Sequence, residues 1–223
     1  MNPLYLGTAA RRLFGIHEPA AAARESRIRA ALLCYPLGQE YIYAHRSMVH
    51  LASKLATRGF HTLRFDYFGT GDSGGEESDT DEYGLMCDVR TAIETLKEIA
   101  QAPKVTLIGL RAGANIAAKT AISSPAEVER VILWDPIPAT QQVLGGAPVL
   151  EIGTALDAFA DRLLIVVSEN REAYGELRKA CASRSAQYAA IEFITSPCPW
   201  QESATITGAL PVPAILRMQQ WLQ

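Results

Sequence analysis

Val105-Thr106-Leu107-Ile108-Gly109-Leu110-Arg111-Ala112-Gly113-Ala114 is the stretch on which the reading of the fold rests. It opens on apolar and β-branched residues, as a buried strand requires. From Arg111 to Ile122 the side chains are small and alanine-rich, as in a helix pressed against a sheet. Gly109 and Gly113 frame Arg111 between the two. A residue at such a strand-to-helix corner is held in a strained backbone conformation, and neighbours without a Cβ let strand and helix approach. In a chain with 16 glycines this spacing also arises by chance, so its surroundings decide.

Upstream, Ala30 to Tyr35 is an apolar run ending at Pro36, and Ser47 to Arg58 places Met48, Leu51, Ala52 and Leu55 on one helical face before Gly59. A strand Phe60 to Asp66, a glycine-rich loop Tyr67 to Gly75 and a helix from Asp81 to Ala100 follow. Downstream, strands are predicted at Val131 to Trp134, Leu163 to Ser168 and Ile191 to Thr195, and helices at Glu172 to Ala182 and Ala214 to Leu222. The first residues, up to Ala20, read as antiparallel edge strands, and the alanine tract Pro19 to Ala23 as a loop. Strands alternating with helices predict a mostly parallel sheet of about eight strands flanked by helices, an α/β class.

A length of 223 residues fits one domain spanning the chain, 1–223. With a net charge of −3 and scattered Lys and Arg, no nucleic-acid partner is expected. No run of about 18 apolar residues is present to span a bilayer, and Met1 to Arg12 lacks the apolar region of a signal peptide, so a cytoplasmic location is expected. Cys34, Cys87, Cys181 and Cys198 form no Cys-x-x-Cys pair, which predicts free, mostly buried thiols and neither metal nor cofactor.

Strand, Gly-x-[nucleophile]-x-Gly and small-residue helix is the frame of the α/β-hydrolase nucleophile elbow, here with Arg111 in place of serine. Leu63-Arg64-Phe65-Asp66-Tyr67-Phe68-Gly69-Thr70-Gly71-Asp72-Ser73-Gly74 adds an Asp-x-x-Gly-x-Gly-x-Ser loop. In these features the chain resembles the serine-aminopeptidase-like branch of the α/β-hydrolase superfamily over nearly its whole length. Tyr35-Pro36, Glu40-Tyr41 with His45-Arg46, Leu133-Trp134-Asp135-Pro136 and Pro199-Trp200 make it most similar to hydrolase-like proteins associated with exosortase loci. The resemblance implies an α/β-hydrolase fold with a role in biosynthesis. Pro136 to Ala160, with Gly145-Gly146, is short for a lid, so the lid is expected to be minimal or absent.

The superfamily's catalytic order is nucleophile, acid, histidine. All four histidines, His17, His45, His50 and His61, precede Arg111, and Ser196-Pro197-Cys198-Pro199-Trp200-Gln201 stands where the base would sit. No side chain in that loop acts as a base near pH 7. Glu169 is the candidate acid, with Asp135 as the alternative. Cys34 and Ser73 are possible nucleophiles, but neither lies at the elbow.

An elbow residue projects into the crevice at the carboxyl ends of the strands, beside a helix N-terminus. Arg111, the Ala112 N–H and an N–H from the Pro36 to Gln39 loop would converge on a carboxylate or phosphate, with Leu37, Gly38, Glu40 and Trp200 as further lining. Alternatively Arg111 pairs internally with Glu40, Asp135 or Glu169 and plugs the crevice. His45, read as beginning a helix at the rim, is a candidate acid or base, and Asp66 and Asp72 read as turn residues. Two functions follow. One is non-covalent action, by Arg111, His45 and an acid, on an acyl or carboxylate-bearing small molecule, carrier-linked or free. The other is a pseudo-hydrolase binding or scaffold subunit. A homodimer is compatible with either.

Overall fold

The computed structural model describes residues 1–21, 27–138, 157–159, 162–168, 174–175, 179, 189–202 and 210–223. Its strands are β1 (Asn2–Thr8), β2 (Arg11–Glu18), β3 (Arg29–Cys34), β4 (Phe60–Phe65), β5 (Val105–Leu110), β6 (Val128–Trp134), β7 (Leu163–Val167) and β8 (Ala189–Phe193). They form one sheet in the order β1-β2-β4-β3-β5-β6-β7-β8. β1, β2 and β4 pair antiparallel, and every pairing from β4 through β3 to β8 is parallel. The central strands are buried along their length, which is why they read as continuous apolar runs rather than alternating ones.

The described helices are α1 (Gln39–Ala56), α2 (Glu82–Ala100), α3 (Ala112–Ser123) and α4 (Val212–Trp221). α2 starts where Asp81 accepts a hydrogen bond from the Gly84 N–H at 2.7 Å. α1 begins eight residues before the predicted Ser47, because its first two turns carry no apolar stripe. Ile42 there is 64% exposed, and the buried face starts at Ala44. His45-Arg46 therefore lie inside α1 rather than at its start.

The two elbow glycines are required by close approach. A Cβ on Gly113 would stand 2.2 Å from the Tyr35 carbonyl oxygen, and one on Gly109 would stand 2.3 Å from the Gly113 oxygen. β3, β5 and α3 thus touch through backbone at the corner that carries Arg111. Of the expected helix at 172–182, only Tyr174, Gly175 and Lys179 are described, and most of 136–160, Gly145-Gly146 included, lies outside the described residues. Among the described residues no helix is long and apolar enough to cross a membrane.

Candidate functional site

β5 ends at Leu110 and α3 begins at Ala112, leaving Arg111 as the capping residue with φ 54° and ψ −122°. A non-glycine residue at positive φ is held there only by its surroundings. Here the Arg111 N–H donates to the Trp134 carbonyl at 3.0 Å, while its own carbonyl accepts from Ala114 and Asn115. The side chain thus departs from the residue that caps α3.

Arg111 is 7% exposed, and its guanidinium is engaged on three sides. Its Nε donates to both Glu40 carboxylate oxygens, at 3.0 and 3.3 Å, and its Nη1 donates to the Asp135 carbonyl at 3.3 Å. Its carbon lies 3.8 Å from the Trp200 ring centroid, a cation–π stack. The Trp200 indole N–H donates to Asp135 Oδ2 at 3.0 Å, and Asp135 Oδ1 accepts the Ser168 N–H at 2.7 Å. Asp135 itself has φ 44°. Asn115 clamps the next turn, with its Nδ2 donating to the Ile137 carbonyl and its Oδ1 accepting the Ile137 N–H, both at 3.0 Å.

A cation at a helix N-terminus opposes the helix dipole by about 0.3–1 kcal/mol. Glu40, in the first turn of α1, offsets this by facing both its own helix N-terminus and the guanidinium. Burial raises the Glu40 carboxyl above its ordinary value, and the Arg111 charge pulls it back down. Burial likewise raises Asp135, opposed by its hydrogen bonds from Ser168 and Trp200 and by the Arg111 charge.

The model of the family described as serine aminopeptidase, S33, matches residues 42–197. The chain belongs to this family. Among solved structures, a lid-less α/β serine hydrolase from Xanthomonas campestris superposes with a TM-score of 0.68 at 15% identity, covering 100% of this chain and 91% of that one. An α/β serine hydrolase homologue from Coxiella burnetii gives 0.68 at 16%, over 99% and 95%. A predicted CIB-like hydrolase from Thermoplasma acidophilum gives 0.68 at 14%, over 99% and 97%. At these identities the likeness establishes the α/β-hydrolase fold. Among curated proteins no sequence match is found.

In this S33-family chain the fold brings Arg111, Glu40, Asp135 and Trp200 together. Leu37 packs on Ala112 and Ile137, a small apolar cluster beside the elbow, and Gly38 opens α1 at φ 59°. His45 is not brought to Arg111. Five residues along a helix is a rotation of about 140°, so His45 lies on the opposite flank of α1 from Glu40. There it stacks 5.8 Å from the Tyr35 ring. Glu169 lies outside the described residues.

Both alternative nucleophiles are structural. Cys34 is fully buried, and burial pushes its thiol up to about 12. The Ser73 hydroxyl donates to the Asp66 carbonyl and accepts from the Phe14 N–H. Among the described residues Cys34 is the one buried thiol; Cys87 and Cys198 are half-buried and in no disulfide, and Cys181 lies outside the described residues. Asp66 accepts the Asp72 N–H at 3.0 Å, as a turn residue should, and also the Tyr41 hydroxyl at 2.8 Å. Sequence reasoning missed Ser168 and Asn115. Ser168 closes the predicted strand at 163–168 and Asn115 is the one polar side chain in a run of small apolar ones, and those were the available signals.

Proposed function

We propose that this protein is a catalytically silent member of its family, serving as a binding or scaffold subunit in a biosynthetic system. The observation that supports this most is the chain Asp135–Trp200–Arg111. Trp200 bonds the Asp135 carboxylate with its N–H and lays its ring on Arg111, the two contacts a triad histidine makes to acid and nucleophile. An indole only donates and a guanidinium stays protonated, so neither can take a proton from, or attack, a substrate. The ion pair with Glu40 occupies the Nε side of the guanidinium.

The test is labelling with a fluorophosphonate serine probe, together with burst hydrolysis of activated esters. Wild type is expected to show neither, and Arg111→Ser alone is expected to stay nearly inactive, because no base is restored. Arg111→Ser combined with Trp200→His should label and hydrolyse above the single variant. Stoichiometric labelling of wild type, or ordinary esterase rates in Arg111→Ser alone, would overturn the reading.

A second reading, an acyl or carboxylate-bearing ligand held at Arg111, is favoured by one observation. Among the described residues the Arg111 Nη2 and the Ala112 N–H make no hydrogen bond, so donors remain at the helix N-terminus. In calorimetric titration with a short-chain carboxylate, Arg111→Ala should then weaken binding roughly ten- to a hundred-fold, and Arg111→Lys should recover little. Alike binding by all three proteins would leave the scaffold role standing alone.

A further inference from the structure

We propose that Arg64, Tyr35 and His45 form a second site, on the flank of α1 away from Glu40, that binds a carboxylate or phosphate group. Arg64 is in β4 and is only 5% exposed, yet its one hydrogen bond among the described residues runs from Nη1 to the neutral Tyr35 hydroxyl, at 3.1 Å. No carboxylate comes within ion-pairing distance of it among the described residues. Asp66, which shares the cluster, commits its two oxygens to the Tyr41 hydroxyl and the Asp72 N–H. Buried arginines are ordinarily paired, because an uncompensated charge in the interior is costly.

The free nitrogens of Arg64 are not sealed in. Among the described residues the buried unpartnered side-chain atoms are Thr62 Oγ1, Tyr67 Oη, Thr120 Oγ1 and Ser196 Oγ, and none belongs to Arg64. Tyr35 carries a hydroxyl proton of its own and stands between Tyr41, with centroids 5.1 Å apart, and His45, whose ring lies within 26° of parallel. His45 is exposed at the rim. Burial of its ring and the Arg64 charge lower its basicity, against the opposing Asp66 charge, so a neutral imidazole able to donate from one nitrogen adds no second charge. A planar guanidinium, a phenol and an imidazole, all able to donate, suit an oxyanion, and they sit at the carboxyl ends of β3 and β4 where open α/β sheets take ligands.

The experiment titrates the whole protein with inorganic phosphate, and separately with acetate, while following the ring signals of His45 by NMR. At least one of the two should shift them saturably in the millimolar range. Arg64→Gln should abolish the shift, Tyr35→Phe should weaken binding about five- to ten-fold, and Arg111→Gln should titrate like wild type. If Arg64→Gln does not fold, Tyr35→Phe decides, since it keeps the ring stack and removes only the hydroxyl. No saturable shift with either anion, wild-type titration of Tyr35→Phe, or loss of the shift in Arg111→Gln would each overturn the proposal.

Discussion

Gly113 leaves no room for a methyl group, with the Tyr35 and Cys34 carbonyl oxygens 2.2 and 2.4 Å from where its Cβ would be. Backbone cannot swing aside as a side chain does, so Gly113→Ala should destabilise the protein by about 2–3 kcal/mol, read from urea unfolding. A loss of less than about 1 kcal/mol would mean that β3 and α3 part easily. Gly71 is constrained differently. It has φ 52°, and its Cβ would meet Asp66 Oδ2 at 2.2 Å. Gly71→Val should therefore cost at least about 1 kcal/mol, and an unchanged melting curve would show the Asp66 loop to be ordinary. The residue types at these positions were legible from spacing alone. Which of the candidate acids Arg111 pairs with was not, since Glu40 is 71 positions away in sequence.

At the scale of elements, β5 and α3 were readable because their residues are buried all round and their boundary is punctuated by glycine. The start of α2, predicted at Asp81, coincides with the residue that caps it. Asp81→Ala removes the acceptor for the Gly84 N–H and should cost about 1 kcal/mol, checked by thermal unfolding against Asp81→Asn, which keeps an acceptor there. Equal losses in the two variants would assign the effect to charge rather than to the cap. The start of α1 was missed for a physical reason. Apolar periodicity reports burial, and the first two turns of α1 turn Glu40 to Arg111 and Tyr41 to Tyr35 while leaving Ile42 and Tyr43 exposed, so they carry no apolar stripe.

Across the whole molecule, stability should fall as the solution is acidified. His17 Nε2 lies 3.2 Å from His61 Nδ1, and the rings are nearly parallel. Burial and the neighbouring His61 hold His17 below its ordinary value of 6.5, and burial lowers His61 and His45 as well. The unfolded chain thus binds protons that the folded one refuses, so the contribution of these groups is complete above 6.5 and is lost as pH falls below it. Buried Asp88, Asp135 and Glu40 are raised and act with the opposite sign. Comparing wild type with His61→Gln separates the two groups. Between about pH 7.5 and 5.5 the variant should lose less melting temperature than wild type, and an equal loss would dismiss the histidine pair. The sequence by itself determined the strand and helix types, the glycine-framed corner and the absence of any histidine after Arg111, because composition and period are local properties. Only the tertiary structure decided the strand order, the Asp135–Trp200 bond across 65 positions and the pairing of Arg111 with Glu40. Periodicity says which face of an element is buried; which elements share that face depends on how the parallel sheet gathers the ends of β3, β5 and β6 and the loop after β8 at one edge.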